Sequence, residues 1–208
     1  MSRYYYLIST LPLLSLDAER HPDRTEFLDL CARELTPGDR ALLLQARLDP
    51  AAIQAEPEAA AGPAADVAGG LDADPRLGDG SPEASAWLTL RRWINWERCL
   101  RDELVRLRAQ ALGVEGSRYL RPASYIAGAV EAARSAASAE NPLAAEAVLD
   151  RARWAQLDEL EVGHQFDLAQ LIIYALRLEL LDRRAQMTSD RGRSSFESWY
   201  EGAVHDRR

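Results

Sequence analysis

Between Leu171 and Leu181 the chain carries only two charged side chains, Arg177 and Glu179; the rest are Leu171, Ile172, Ile173, Tyr174, Ala175, Leu176, Leu178, Leu180 and Leu181. Gln170, Arg177 and Arg184, spaced by seven residues, leave a narrow polar stripe. A helix that is apolar around nearly its whole circumference must be covered on nearly every side. The pattern therefore predicts a helix from about Asp167 to Gln186 at the centre of a bundle, and each fully buried Leu or Ile there contributes roughly 1.5–3 kcal/mol.

A second long pattern restricts the partners of that helix. Ser81-Pro82-Glu83 is a start signal, and Gly113 a stop, for a helix ending near Leu112. Within it Ala86, Trp93, Leu100 and Leu107 form one heptad position, and Leu90, Glu97, Leu104 and Ala111 the other. Seven of these eight positions are apolar, which suits either a coiled coil or a long helical hairpin. Glu97 is the exception.

Shorter elements are read from their caps. Helices are predicted from about Thr25 to Glu34, after Thr36-Pro37, after Pro122 to about Ala137, after Asn141-Pro142 toward Leu160, and from Ser194 to Val204. Residues 4–16 are apolar but interrupted by Pro12 and are read as an extended N-terminal segment packed on the core. The fold class expected is all-α, a multi-helix bundle with a long helical hairpin. At 208 residues it can bury about 70% of its unfolded surface. Residues 1–49 are assigned to N-terminal segments packed on the bundle and 83–208 to the main bundle.

The segment between them, 50–82, holds half of the ten prolines. Residues 49–86 contain eight acids and one base, so most of the net charge of −8 resides there. With almost no large apolar side chains it cannot offset its ordering entropy, and a flexible acidic linker or insertion is expected. The rest of the chain is close to neutral, which argues against nucleic acid as a partner.

All 25 basic residues are arginine. Without lysine there is no phosphate-loop lysine, Schiff base or lysine general base. No GxSxG, HExxH or GxGxxG motif occurs. Glu161 and His164 have the Glu-x-x-His spacing of helical di-metal sites, with Asp167 close by, but such sites need two copies and further glutamates. No catalytic residue, cofactor, metal or small-molecule substrate is therefore expected. Cys31 and Cys99 are isolated and are read as buried thiols in a reducing compartment. The apolar run after Arg3 is not read as a leader, because Pro12 interrupts it and Asp17 and Glu19 follow. No stretch reaches the roughly 18–20 apolar residues of a membrane span. For protein contacts, Trp96 is the candidate surface aromatic, flanked by Arg91, Arg92 and Arg98 on the outer face of the same helix.

Three stretches carry a resemblance: Tyr4-Tyr5-Tyr6-Leu7-Ile8-Ser9-Thr10-Leu11-Pro12-Leu13-Leu14, Phe27-Leu28-Asp29-Leu30-Cys31, and Asn141 to Arg183. Together they resemble a bacterial domain of unknown function, family 2764, whose members are typically encoded beside V-type ATPase subunits. The resemblance implies a helical, non-catalytic subunit standing in for the C (d-type) central-stalk socket. Its partners would be the other V-type ATPase subunits, central stalk and membrane ring. It would be cytoplasmic and peripheral to the inner membrane through that complex. The alternative is a soluble assembly factor or adaptor that binds such a complex transiently. A small metal-dependent enzyme using Glu161, His164 and Asp167 is a third reading.

Overall fold

The computed structural model describes residues 4–18, 20–49, 82–120 and 124–187, leaving aside the side chains of residues 82 and 83. Among them are seven α-helices and no strand. They are α1 (Tyr5–Thr10), α2 (Arg24–Glu34), α3 (Pro37–Leu44), α4 (Pro82–Leu112), α5 (Ala127–Ala137), α6 (Pro142–Glu161) and α7 (Leu168–Gln186). The all-α multi-helix expectation holds. Most of the acidic segment 50–82, and the helix expected at 194–204, lie outside the described residues.

The caps behave as local chemistry dictates. Asp23 accepts from the Thr25 and Glu26 amides at the start of α2, which holds its carboxyl below the ordinary carboxylate range. Thr36 caps α3 with Pro37 in the first turn, and Asn141 caps α6 with Pro142 in the same place. Asp167 caps α7 by accepting from the Gln170 amide at 2.9 Å. Gly113 (φ 64°) and Gly163 (φ 89°) take the left-handed conformation that ends α4 and α6.

α7 is the centre. Leu171, Ile172, Ile173, Ala175, Leu176, Leu178 and Leu180 are fully buried, and α2, α3, α4 and α6 all pack against it. The polar stripe of the sequence is accounted for residue by residue. Gln170 accepts from the Phe166 amide, Arg177 bonds Asp158 and Glu161, and Arg184 reaches Asp17. α6 and α7 are antiparallel: Asp158 pairs with Arg177, while Asp150 and Glu146, further back along α6, pair with Arg183 further along α7. This pair forms a hairpin, whereas the sequence reading places the long hairpin at α4. The return from α4, by contrast, is irregular over residues 114–120 and 124–126 apart from the 3₁₀ turn Ser117–Tyr119.

Two expectations are corrected. The N-terminal segment is not extended throughout, because α1 precedes Pro12. Tyr4, Leu7 and Ile8 fall at helical spacing, bury one face, and are anchored by the Tyr4 hydroxyl donating to Asp39 at 2.6 Å. Proline permits this because it stands beyond the helix end, where its missing N–H costs nothing. The helix expected after Pro122 starts later, at Ala127, since the Ile126 amide bonds the Cys99 sulfur instead of opening a helical turn.

The heptad seam of α4 is buried only in part. Ala86, Leu90, Trp93, Glu97 and Leu100 are fully buried, Leu104 and Leu107 half-buried, and Ala111 exposed. The outer end of this 31-residue helix runs beyond the core.

Cys31 lies in that core at 0% exposure, and burial pushes its thiol up to about 12. A thiol raised in the folded state contributes stability that is fully present below its ordinary value near 9 and is lost as pH rises toward 12. A maleimide at pH 8 should leave Cys31 unmodified in native protein and modify it in urea. Rapid native labelling, read by peptide mass spectrometry, would contradict this packing.

Candidate functional site

The polar exception of the α4 seam organises a densely charged region of the described residues. Glu97, at 0% exposure, receives two parallel hydrogen bonds from Arg153 of α6: Nε to Oε2 and Nη2 to Oε1, both at 3.0 Å. Such a bidentate guanidinium–carboxylate pair fixes orientation as well as charge. Arg101 adds a third bond to Glu97 Oε1 at 2.9 Å and reaches Asp49 at 2.8 Å. Arg153 also donates to Asp150 at 3.3 Å, and Arg183 of α7 closes the network on Asp150 and Glu146. Burial disfavours the Arg153 charge, but Glu97 and then Asp150 and Glu146 outweigh that and raise its pKa.

An open cleft of about 380 Å³ lies over this network, walled also by Arg24, Arg47, Glu179 and Asp182. Glu179 is shared loosely by Arg24 at 3.7 Å and Arg47 at 3.9 Å. Desolvation, with Arg47 acting in the same direction, lowers the Arg24 pKa against the pull of Glu179. His21 bonds Asp182 at 2.7 Å on the same wall. Nine of the eleven residues lining the cleft are charged, and acids and bases alternate in pairs. Paired charges hold helices in register; they do not present a nucleophile.

Sequence reasoning placed Glu97 in the seam but could not name its partner. α6 holds Arg151 and Arg153 two positions apart, and only the crossing of α6 over α4 turns Arg153 inward and leaves Arg151 exposed.

The proposed surface aromatic is elsewhere than expected. Trp96 is 3% exposed and stacks on Trp93 with ring centroids 5.8 Å apart. The sequence reading sets Trp96 on the outer face of α4, whereas α5 packs over the flank from which it projects. Gly128 of α5 lies against it, at a position whose Cβ would stand 4.0 Å from the indole nitrogen, ordinary van der Waals contact. Of the three flanking arginines, Arg92 is exposed, while Arg91 and Arg98 are half-buried on a shared stripe one heptad apart. The four do not form one exposed platform.

Of Glu161, His164 and Asp167 the fold brings the side chains of His164 and Asp167 together, as a clasp, and turns Glu161 to Arg177. Glu161 is held by Arg177 at 2.7 Å. His164 Nδ1 bonds Asp167 at 2.7 Å, and its Nε2 lies 3.3 Å from the Thr89 hydroxyl. This hydroxyl–imidazole–carboxylate order is that of a hydrolytic triad, but the environment is not. Thr89 is 3% exposed, and its hydroxyl donates to the Ser85 carbonyl one turn back, so no substrate carbonyl can reach it. Beside it Phe166 adopts a left-handed conformation (φ 54°), steadied by Gln170 and by Tyr5 at 4.6 Å between rings. Among the described residues no group of three or more His, Cys, Asp or Glu side chains is arranged to hold a metal, and no helix is long and apolar enough to cross a membrane.

Comparison of the chain with protein-family models, with curated proteins and with solved structures returns no match.

Proposed function

We propose that the chain is a non-catalytic structural subunit of a bacterial V-type (V/A-type) ATPase, a C/d-like socket of the central stalk that couples the rotor stalk to the membrane ring. One observation carries the reading. The three stretches that resemble family 2764, though spread from Tyr4 to Arg183, occupy neighbouring positions in the fold. Tyr5 packs on Phe166, Phe27 on Tyr174 at 5.0 Å, and the Tyr174 hydroxyl donates to the Pro12 carbonyl at 3.1 Å. The resemblance thus covers one packed unit. A coupling element must also resist sliding between helices, and the Glu97–Arg153 pair, with Arg183, ties α4, α6 and α7 together by charged hydrogen bonds.

The test is a tagged chain recovered from its native organism, with retained proteins quantified by mass spectrometry. Stalk and ring subunits near one-to-one with the bait are the expected result. Substoichiometric recovery would favour a transient assembly factor or adaptor, and recovery of the bait alone would overturn both readings.

A further inference from the structure

The outer end of α4 combines exposed apolar side chains with a local charge opposite to that of the whole chain. Beyond Glu103, which Arg134 of α5 reaches at 3.4 Å, α4 is accompanied by its own return segment. The Val114 amide bonds the Ala109 carbonyl at 3.0 Å. Gly116 then lies so close that a Cβ would stand 2.7 Å from the Ala109 Cβ, a separation that only glycine allows. The strap is therefore pressed onto the helix, and the side chains around this contact are held outward: Leu112 is 75% exposed, Val114 57% and Tyr119 58%. Arg118 sits over the Tyr119 ring at 4.6 Å and fixes its orientation.

Between residues 104 and 120 the exposed charges are three arginines, Arg106, Arg108 and Arg118, against one acid, Glu115, and of the three Arg106 is engaged by Glu103 at 3.2 Å. In a chain of net charge −8 this end is locally basic. We infer that the tip of α4 and its strap form a docking surface for an amphipathic helix of a partner protein, with an apolar stripe flanked by acidic residues. Charge complementarity selects that partner over a basic one. A lipid surface is a poorer fit, because headgroup binding calls for a cluster of roughly four to eight basic residues without interspersed acid. The partner's place in the ATPase rests on the coupling reading; the chemistry of the surface does not.

The test uses the full-length chain and a synthetic helix with leucines on one face and glutamates on its flanks, read by fluorescence anisotropy. Saturable binding is expected, with no binding of the counterpart that carries lysines instead. The double variant Arg108→Glu, Arg118→Glu should weaken binding by about tenfold or more at unchanged thermal midpoint, since both side chains are exposed, whereas Arg106 is left in place because it holds the buried Glu103. If that variant fails to fold, Leu112→Ala with Tyr119→Ala gives a charge-neutral second measure, with weaker binding again expected. Equal binding of both helices, indifference to the substitutions, or preference for phosphatidylglycerol vesicles would overturn the surface. So would a photo-crosslinker at Leu112 that joins residues 188–208 of the same chain or a second copy. The two proposals fail separately. Retention of ATPase subunits by the double variant would count against the tip alone, while helix binding by a bait that recovers no ATPase subunit would count against the coupling role alone.

Discussion

Glu97→Ala should destabilise the protein by about 3–5 kcal/mol, measured by urea unfolding, because it leaves a buried charge without its partner. Arg153 keeps only 6% of its side-chain surface in solvent and would lose both of its bonds to the carboxylate. Asp150 would remain as a nearby acid, but it is also engaged by Arg183. Arg101 would lose one bond and suffer little, being 44% exposed and free to turn to water. The double replacement Glu97→Leu with Arg153→Leu is expected to recover most of the loss, since removing both charges removes the desolvation penalty together with the attraction. If Glu97→Ala cost less than about 1 kcal/mol, the pair would behave as an exposed ion pair, and the burial described for it would be wrong.

Ile173→Asp should be more damaging still. Ile173 is fully buried on α7, which four other helices cover. An ionised carboxylate at that position would be desolvated, with Arg177 four residues on already held by Asp158 and Glu161, and even its protonated form leaves a polar group in an apolar shell. A cost above about 4 kcal/mol, enough to abolish the cooperative thermal transition, is expected. The control Ile173→Val should cost only about 0.5–1.5 kcal/mol, as one methyl group is lost without any polar burial. A folded Ile173→Asp protein with a near-native midpoint would mean that α7 is not the centre of the bundle.

These two positions also mark how much was legible beforehand. Ile173 could be placed from the sequence, because an apolar circumference needs cover wherever that cover comes from. Glu97 could be seen as an anomaly but not explained, since its partner lies 56 residues away and no local pattern selects Arg153 over Arg151. Trp96 shows the opposite failure. The sequence places it on the outer face of α4, where the seam count leaves it uncovered, and α5 packs over that flank and buries it. The Glu161, His164 and Asp167 spacing was a sound chemical alert. Contacts with Arg177 and Thr89 turn it into a clasp between α4 and the α6–α7 turn.

What the sequence determined by itself was local and periodic. Asp23, Thr36, Asn141 and Asp167 set where helices begin, Gly113 and Gly163 where two of them end, and the apolar circumference of α7 made it central. Each of these follows from a hydrogen bond or a buried face within a few turns of the residue concerned. The tertiary structure alone decided which helix covers which flank. It alone brought Glu97 to Arg153, buried Trp96, and left Leu112, Val114 and Tyr119 in solvent. Those outcomes depend on helix crossings between residues far apart in sequence, and the crossings are fixed by the fit of all the faces together.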